Sequence, residues 1–266
     1  MVAAITDGTP AFGDLLRFWR RRRRLSQLDL ALEANLSTKH LSFLENGRAR
    51  PSRQLLEHLT HTLELPLRER NRLLLAAGFA PHYRELPFDD RAMAPLREAL
   101  DRLLAAHQPN PALVVNAHWE LVASNPAAAL LWDGVDPKLL EPPVSVLRLF
   151  CHPDGVPRIS SATPVCSRPL LERLHRRAHD DADQTLLDLV AEMEGYLAGA
   201  QPRSWNGDGV MATFELQTRL GEVSLFTVIA TLGAPLEVSA ADLAIETFLP
   251  ADAQSADRLR ELAATT

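Results

Sequence analysis

From Phe12 to Ala77 the apolar residues recur every three or four positions, in five short runs separated by residues that start or stop helices. The first run puts Phe12, Leu15, Leu16 and Trp19 on one face. Thr9-Pro10 ahead of it is a good entry, with proline at the first helical position, and residues 1 to about 8 read as a tail. Ser26 can cap a helix over residues 27–34, and Asn35-Leu36-Ser37 then makes a tight turn in which Asn tolerates the left-handed conformation. Ser37 can cap a second helix over 38–46, which Gly47 stops. Leu28, Ala31, Leu32, Leu36, Leu41 and Leu44 are expected to pack this pair on a shared core, with Ala31 small where the helices cross. Ser52 caps a helix carrying Leu55, Leu56, Leu59 and Leu63, and Pro66 opens a fifth that ends at Ala77-Gly78. Two short helices about a tight turn form a helix-turn-helix, whose second helix is the one placed to enter a major groove.

Beyond residue 78 the pattern changes. Residues 79–90, FAPHYRELPFDD, have two prolines, three aromatics and no helical period, and predict a semi-extended linker docked through Phe79, Tyr83 and Phe88. Residues 91–107 are helical again, with Leu96, Leu100, Leu103 and Leu104 on one side. Residues 112–115 and 119–123 read as strands about a turn at Asn116-Ala117-His118, and Asn125-Pro126 starts a helix with Ala129, Leu130 and Trp132 on its apolar face. Seven prolines between 134 and 169 predict mostly loop, apart from a short helix at 145–150. Helices follow at 169–179 and 182–198, then a loop at Gly207-Asp208-Gly209. Residues 211–218 and 223–232 form a hairpin bending at Leu220-Gly221-Glu222, before a strand at 243–249 and a closing helix at 252–263. Two strands, helices, then three strands is the order of a PAS-like α+β domain, an antiparallel sheet with helices over one face. The expected organisation is an all-α five-helix domain over 10–78, a linker over 79–90, and a PAS-like ligand-binding and dimerisation domain over 91–266.

Charge sharpens this division. Residues 1–84 hold 14 Lys+Arg against 8 Asp+Glu, a balance of +6, whereas the remainder holds 14 against 26, a balance of −12. A basic head on an acidic body favours phosphate contact at one end only. The longest apolar stretches, such as 223–232, are too short to span a bilayer, so no membrane partner is expected. The start of the chain lacks a basic region followed by an apolar run, and two cysteines, Cys151 and Cys166, make no disulfide framework; both point to the cytoplasm.

Residues Leu25-Ser26-Gln27, Ala31, Leu36-Ser37, Leu41-Ser42, Glu45-Asn46-Gly47 and Arg50-Pro51 resemble the phage-repressor-like helix-turn-helix domains, often called XRE. Asn35 stands where that family usually has glycine. The resemblance implies binding to double-stranded DNA. It also implies an ion pair between Arg20, within the arginine run 20–24, and Glu45 at the end of the recognition helix, leaving the other arginines for phosphates. A second resemblance covers Ala76-Ala77-Gly78-Phe79-Ala80-Pro81, Pro111 to Val115, Trp119 to Val122, Asn125-Pro126-Ala127-Ala128, Phe150-Cys151-His152-Pro153, Leu232 to Leu236 and Ile245 to Asp252. These are similar to the ligand-binding domain of MmyB-like transcription regulators. Residues 155–160, GVPRIS, depart from that family's arginine-tryptophan stretch. The implied effector is a small apolar molecule, such as a fatty-acyl chain.

On this reading Gln27 touches the DNA backbone or an edge base, while Thr38, Lys39, Ser42 and Phe43 read bases, Lys39 through guanine acceptors and Phe43 through a thymine methyl. His40 goes to a base or a phosphate, and Asn46, Arg48 and Arg50 fix register on phosphates. A homodimer on a pseudo-palindromic operator would double these contacts. Expected pocket residues are Val114, Trp119, Leu121, Leu130, Trp132, Phe150, Phe214, Leu216, Phe226, Val228 and Ala230, with plain apolar core as the alternative for each. No catalytic constellation, phosphate-binding glycine loop or nucleophile elbow occurs, so no enzyme and no cofactor are expected. Cys151, His152, Cys166, His175 and His179 lack the spacing of a metal knuckle. Two rivals stay open: a DNA-targeted enzyme acting on a small apolar substrate, and a protein-interaction module.

Overall fold

Three serines open three consecutive helices. Ser26 Oγ accepts from Asp29 N (3.1 Å) while Asp29 Oδ2 accepts from Ser26 N (2.8 Å), a reciprocal capping box. Ser37 Oγ accepts from His40 N (3.1 Å), and Ser52 Oγ from Leu55 N (3.2 Å). The helices they start are α2 (Gln27–Glu33), α3 (Thr38–Glu45) and α4 (Arg53–Thr62), which lie in the chain between α1 (Phe12–Arg22) and α5 (Leu67–Ala76). Asn35, at φ 52°, closes α2 as Leu36 N donates to Ala31 O (2.7 Å). Gly47, at φ 67°, closes α3 as Arg48 N donates to Phe43 O (2.8 Å). In each the left-handed residue lets the chain turn back and satisfy the last carbonyls.

The computed structural model describes residues 11–158, 160, 163–198 and 212–264, the side chains of 163–167 excepted, and separates into two compact units. The first unit runs to Glu85 and takes in Leu236–Val238, where Val238 N donates to Arg84 O (2.8 Å). Its core gathers Leu16, Trp19, Leu30, Leu41, Leu44, Leu56 and Leu59, all fully buried. Leu28 and Leu32 do not join it; they are 55% and 70% exposed. α2 turns Leu30, Ala31 and Ala34 inward, and residues two positions away point roughly 200° around a helix from Leu30. Gly13 brings α1 against the end of α3: a Cβ there would sit 2.5 Å from Glu45 O. Asn71 holds the segment after α5. Its Nδ2 donates to Tyr83 O (2.6 Å), and its Oδ1 accepts from His82 N and Tyr83 N, both at 3.0 Å, while Phe79 packs on the core.

The second unit begins with a 3-10 turn (Arg91–Met93) leading into α6 (Ala94–Ala106). Five antiparallel strands follow in the order β2-β1-β5-β4-β3: β1 (Ala112–Val115), β2 (Leu121–Ser124), β3 (Phe214–Thr218), β4 (Gly221–Thr231) and β5 (Ala244–Pro250). Between β2 and β3 come α7 (Val146–Cys151), α8 (Thr163–Asp181) and α9 (Gln184–Ala198); α10 (Val238–Ala241) and α11 (Ala253–Ala264) flank β5. This is the two-domain arrangement expected, a helical head and a PAS-like sheet with helices. Helices do not keep to one face, however. One face packs Leu113, Val115, Leu216, Leu225 and Phe248 against α7, α8 and α9, and the other packs Ala112, Val114 and Ile245 against Leu100 and Leu104 of α6, with Phe88 alongside. The unbroken apolar run of β1 is the sequence signature of that two-sided burial.

Several elements differ in detail from expectation, among them α10, which was not expected, and the hairpin bend, since Gly221 already pairs with Thr218 within β4. β2 starts at Leu121 because Trp119 sits at φ 60° inside a turn whose centre is Asn116, with Asn116 Oδ1 accepting from His118 N and Glu120 N at 3.0 Å each. α8 begins at Thr163, six residues early, and carries Pro169 inside it. After Asn125 the chain forms a 3-10 helix (Pro126–Leu131) that buries Ala128 and Leu131 in place of Ala129 and Trp132. The expected tail, the Thr9-Pro10 entry, the loop at 207–209 and Met211 lie outside the described residues.

Asn125 is 3% exposed and uses its whole side chain. Oδ1 accepts from Ala112 N and Ala128 N (3.1 Å each), and Nδ2 donates to Leu104 O (3.1 Å) and Asn110 O (2.8 Å). One amide thus joins the end of α6, β1 and the 3-10 helix. Asn125→Ala removes the side-chain partner of Ala112 N and Asn110 O, at about 1–3 kcal/mol for each left unsatisfied, while Ala128 N keeps its bond to Asn125 O (3.0 Å) and Leu104 O its bond from His107 N (3.2 Å). Urea unfolding is expected to show a loss of at least about 2 kcal/mol; a loss under half of that would mean the network is dispensable.

Candidate functional site

Much of the polar structure of the head's first three helices is organised around one deeply buried carboxylate. Glu45, the last residue of α3, is 2% exposed. Arg20 Nε donates to its Oε1 (2.6 Å) and Arg20 Nη2 to its Oε2 (3.0 Å), and Gln27 Nε2 adds a third bond at 2.8 Å. Arg17 Nε stands 3.5 Å from the same carboxylate, with Nη2 donating to Glu45 O and to Asn46 Oδ1 at 2.8 Å each. Asn46 Nδ2 in turn donates to Ser42 O (2.8 Å). Burial by itself would raise the Glu45 pKa, but the hydrogen bonds from Arg20 and Gln27 and the charges of Arg20 and Arg17 outweigh it and hold the carboxyl below its ordinary value. α3 is thereby fixed to α1 and α2 by charge-assisted bonds.

What α3 leaves outward is a compact set. Thr38, Lys39, His40 and Asn46 are exposed, Ser42 and Phe43 are half-buried, and Arg48 and Arg50 follow exposed in the loop. Lys39 Nζ lies 5.7 Å from the centre of the Phe43 ring, a cation–π distance. Gln27 belongs to the same end of the bundle, tied to Glu45. Arg17 was absent from the sequence reading; its spacing of three from Arg20, one helical turn, is the signal that points to it. The arginines after Arg20 are not all left for phosphates. Arg23 donates to Leu63 O (2.8 Å) and Glu64 O (2.9 Å), satisfying carbonyls at the end of α4, and lies 6.0 Å over Trp19.

The second unit holds a cavity of about 440 Å³ under α8, between α7 and strands β3, β4 and β5. Phe150, Phe214 and Phe226 line it; Phe150 stacks on Phe248 at 5.5 Å. Val146, Leu147 and Leu170 extend the apolar wall, Thr227, Ile229 and Glu246 come from β4 and β5, and Arg173 and Arg176 of α8 stand at the edge. The remaining expected pocket residues go elsewhere. Val114 packs on α6, Val228 and Ala230 are exposed, and Trp119, Leu121 and Leu216 belong to the solid core. Leu130 and Trp132 line a separate hollow of about 710 Å³ near α11. Side chains alternate across β1, so Val114 faces α6 while Leu113 and Val115 face the side covered by α7, α8 and α9.

Glu246 is the unusual member. It lies in the middle of β5, is 4% exposed, and pairs in register with Leu113 and Ile229. Burial pushes its carboxyl up to about 8, with the charge of Arg173 opposing only part of the shift. An acidic residue inside Ala244-Ile245-Glu246-Thr247-Phe248 is the anomaly that could have marked it from sequence, since glutamate is almost never fully buried without a partner. Among the described residues no group of three or more His, Cys, Asp or Glu could hold a metal, and His175 and His179 are exposed on α8.

Comparison with known families supplies two matches. A helix-turn-helix domain model matches residues 11–73, and a model of the MmyB-like transcription regulator ligand binding domain matches residues 96–262, more than half of the chain. The chain belongs to the MmyB-like transcription regulators. The two matches give this MmyB-like regulator a helix-turn-helix head and the family's ligand-binding domain. A comparison with curated proteins returns no match. Among solved structures it is similar to one titled "Structure of an RNA-binding Light-Oxygen-Voltage Receptor", at 15% identity and a TM-score of 0.29, covering 97% of this chain and 65% of that one. No helix among the described residues is long and apolar enough to cross a membrane.

Two outcomes follow for the MmyB-like regulator. Removing one partner of a buried ion pair leaves the other charge uncompensated, so Arg20→Ala is expected to cost about 3–5 kcal/mol in the head's unfolding free energy. A cost below 1 kcal/mol in chemical denaturation would show the pair to be superfluous. Glu246 binds its proton more tightly folded than unfolded, so its contribution to stability falls as pH rises from the ordinary glutamate value of 4.5 toward about 8, and levels off above. Melting temperatures measured from pH 5 to pH 9 should decline less steeply in Glu246→Gln than in the parent; parallel curves would contradict the raised proton affinity.

Proposed function

We propose that this regulator is a sequence-specific operator-binding protein whose α3 reads bases and whose cavity takes a small apolar, fatty-acyl-like effector. The observation that carries the reading is the Glu45 network: it fixes the orientation of α3 while the side chains of Thr38, Lys39, His40, Ser42 and Phe43 keep exposed surface. A helix rigidly presented, with a cation and an aromatic ring adjacent on it, suits direct readout of a major groove. Lys39 donates to guanine acceptors, and Phe43 meets a thymine methyl. Thr38 and Ser42 take neighbouring edges, and His40 a base or a phosphate. Asn46, Arg48 and Arg50 hold phosphates, and Gln27 reaches the backbone or an edge base.

The regulator acts as a homodimer on a pseudo-palindromic site, since one head offers few base contacts and half-sites about one helical turn apart double them. The hairpin β3–β4 is the better interface than α6, because Leu100 and Leu104 of α6 are already buried on the sheet while Val228 on β4 is 44% exposed. Signal passes through the linker. Phe79 and Tyr83 are anchored in the first unit and Phe88 in the second, where Arg97 Nη1 donates to Asp90 O (2.7 Å), so the segment has fixed ends. An effector preferring one pocket conformation shifts operator affinity by its differential binding, on the order of 1–3 kcal/mol.

Selection of bound duplexes from a random pool tests the reading. It should recover two half-sites in inverted order about one turn apart, and Lys39→Ala should weaken binding by about 1–3 kcal/mol and relax one position of each half-site. Recovery of no motif refutes operator reading, and a single half-site refutes the dimer.

A further inference from the structure

The cavity of the second unit contains a charge problem that its described walls do not solve. The Glu246 carboxyl makes no hydrogen bond to a described residue, although the residue is 4% exposed. From β1, β3 and β4 the groups that face it are uncharged: Leu113, Phe214, Thr227 and Ile229. From α7 they are Val146, Leu147 and Phe150. Only α8 brings charge, in Arg173 and Arg176, both positive, and neither forms an ion pair with Glu246. A buried carboxyl that desolvation has pushed up to about 8 carries its proton at neutral pH. The strong polar groups on the cavity wall are then donors, two guanidinium groups and one acid O–H. Acceptor oxygens and negative charge at one end, with apolar surface over the rest, complement such a wall.

We infer that Glu246 is the head-group anchor of this cavity, its carboxyl O–H donating to an oxygen of an apolar-bodied anion whose charge Arg173 and Arg176 balance. This rests on the reading of the cavity as the effector site and adds a regulation to it. Proton and effector are held together, because an ionised Glu246 would face the anion across a few ångströms of low-dielectric space. Below the pKa of Glu246 the proton is already in place. Above it, each bound anion must bring a proton from solvent, so affinity falls tenfold for each pH unit. A carboxylate head or a phosphate head presents the same chemistry to this wall.

Calorimetric titration of the full chain with decanoate, decyl phosphate, decanol and decylamine, from pH 6.5 to pH 9.5, tests the assignment. At pH 7 the two anions are expected to bind more tightly than decanol, and decylamine most weakly; which anion wins tells a carboxylate from a phosphate head. Between about pH 8 and pH 9.5 decanoate affinity should drop about tenfold per unit, with uptake of one proton, read from heats in two buffers of different ionisation enthalpy. Glu246→Gln keeps an N–H donor without a titration and should bind decanoate with affinity flat in pH. Glu246→Leu should lose the preference for decanoate over decanol while still binding both. Tighter binding of decylamine than decanoate, abolished in Glu246→Gln, would make Glu246 the anionic partner of a cation and overturn the proposal. Decanoate affinity and pH profile unchanged in both variants would overturn it as well. Phe214→Trp separates the two levels: the larger ring narrows the cavity, so decanoate binding indifferent to it, or binding of none of the four probes, defeats the cavity reading itself.

Discussion

A carboxylate withdrawn from water at the end of a helix must be compensated on the spot, and Glu45 dictates much of the head for that reason. Its desolvation is offset by Arg20, Arg17 and Gln27 together, groups from two other helices, so α1, α2 and α3 can sit only where those bonds close. Gly13 follows from the same requirement, since any side chain there would strike the Glu45 carbonyl. A polar network of this kind contributes less to net stability than to uniqueness of arrangement. For a helix that has to meet base edges in register, uniqueness is the property that matters.

The second unit solves a different problem with a different device. Its sheet is covered on both faces near β1 and β5 but on one face near the outer part of β4, where Val228 and Ala230 are exposed. Asn125 secures the doubly covered end by satisfying four backbone groups at once. The cavity lies toward the other end, walled by three phenylalanines and bounded by the arginines of α8.

How much of this was legible in the sequence depended on the range of the interaction. Ser26, Ser37, Ser52, Asn35 and Gly47 announce helix ends because a cap or a left-handed turn involves only neighbours along the chain, and the helices of the head fall within two residues of expectation on that account. Leu28 and Leu32 misled because a seven-residue helix carries two apolar stripes, and only tertiary packing decides that Leu30 and Ala31 go inward. Strand parity on β1 was illegible for a related reason. Ala112-Leu113-Val114-Val115 is apolar on both faces because α6 covers the second one, and that contact is invisible locally. Glu246, by contrast, is legible as an anomaly, a lone acid in a strand of mainly apolar residues.

The two-sided burial of β1 and β5 also decides where the molecule gives way. Backbone hydrogen bonds flanked by packed side chains above and below break only with the unit as a whole, whereas those beside an exposed face can open in smaller fluctuations. The sheet accordingly grades from a stiff margin at α6, β1 and β5 to a compliant one along β3 and β4. Because the cavity borders the compliant margin, brief local breathing of the hairpin would open it without any loosening of the strands that hold the sheet together.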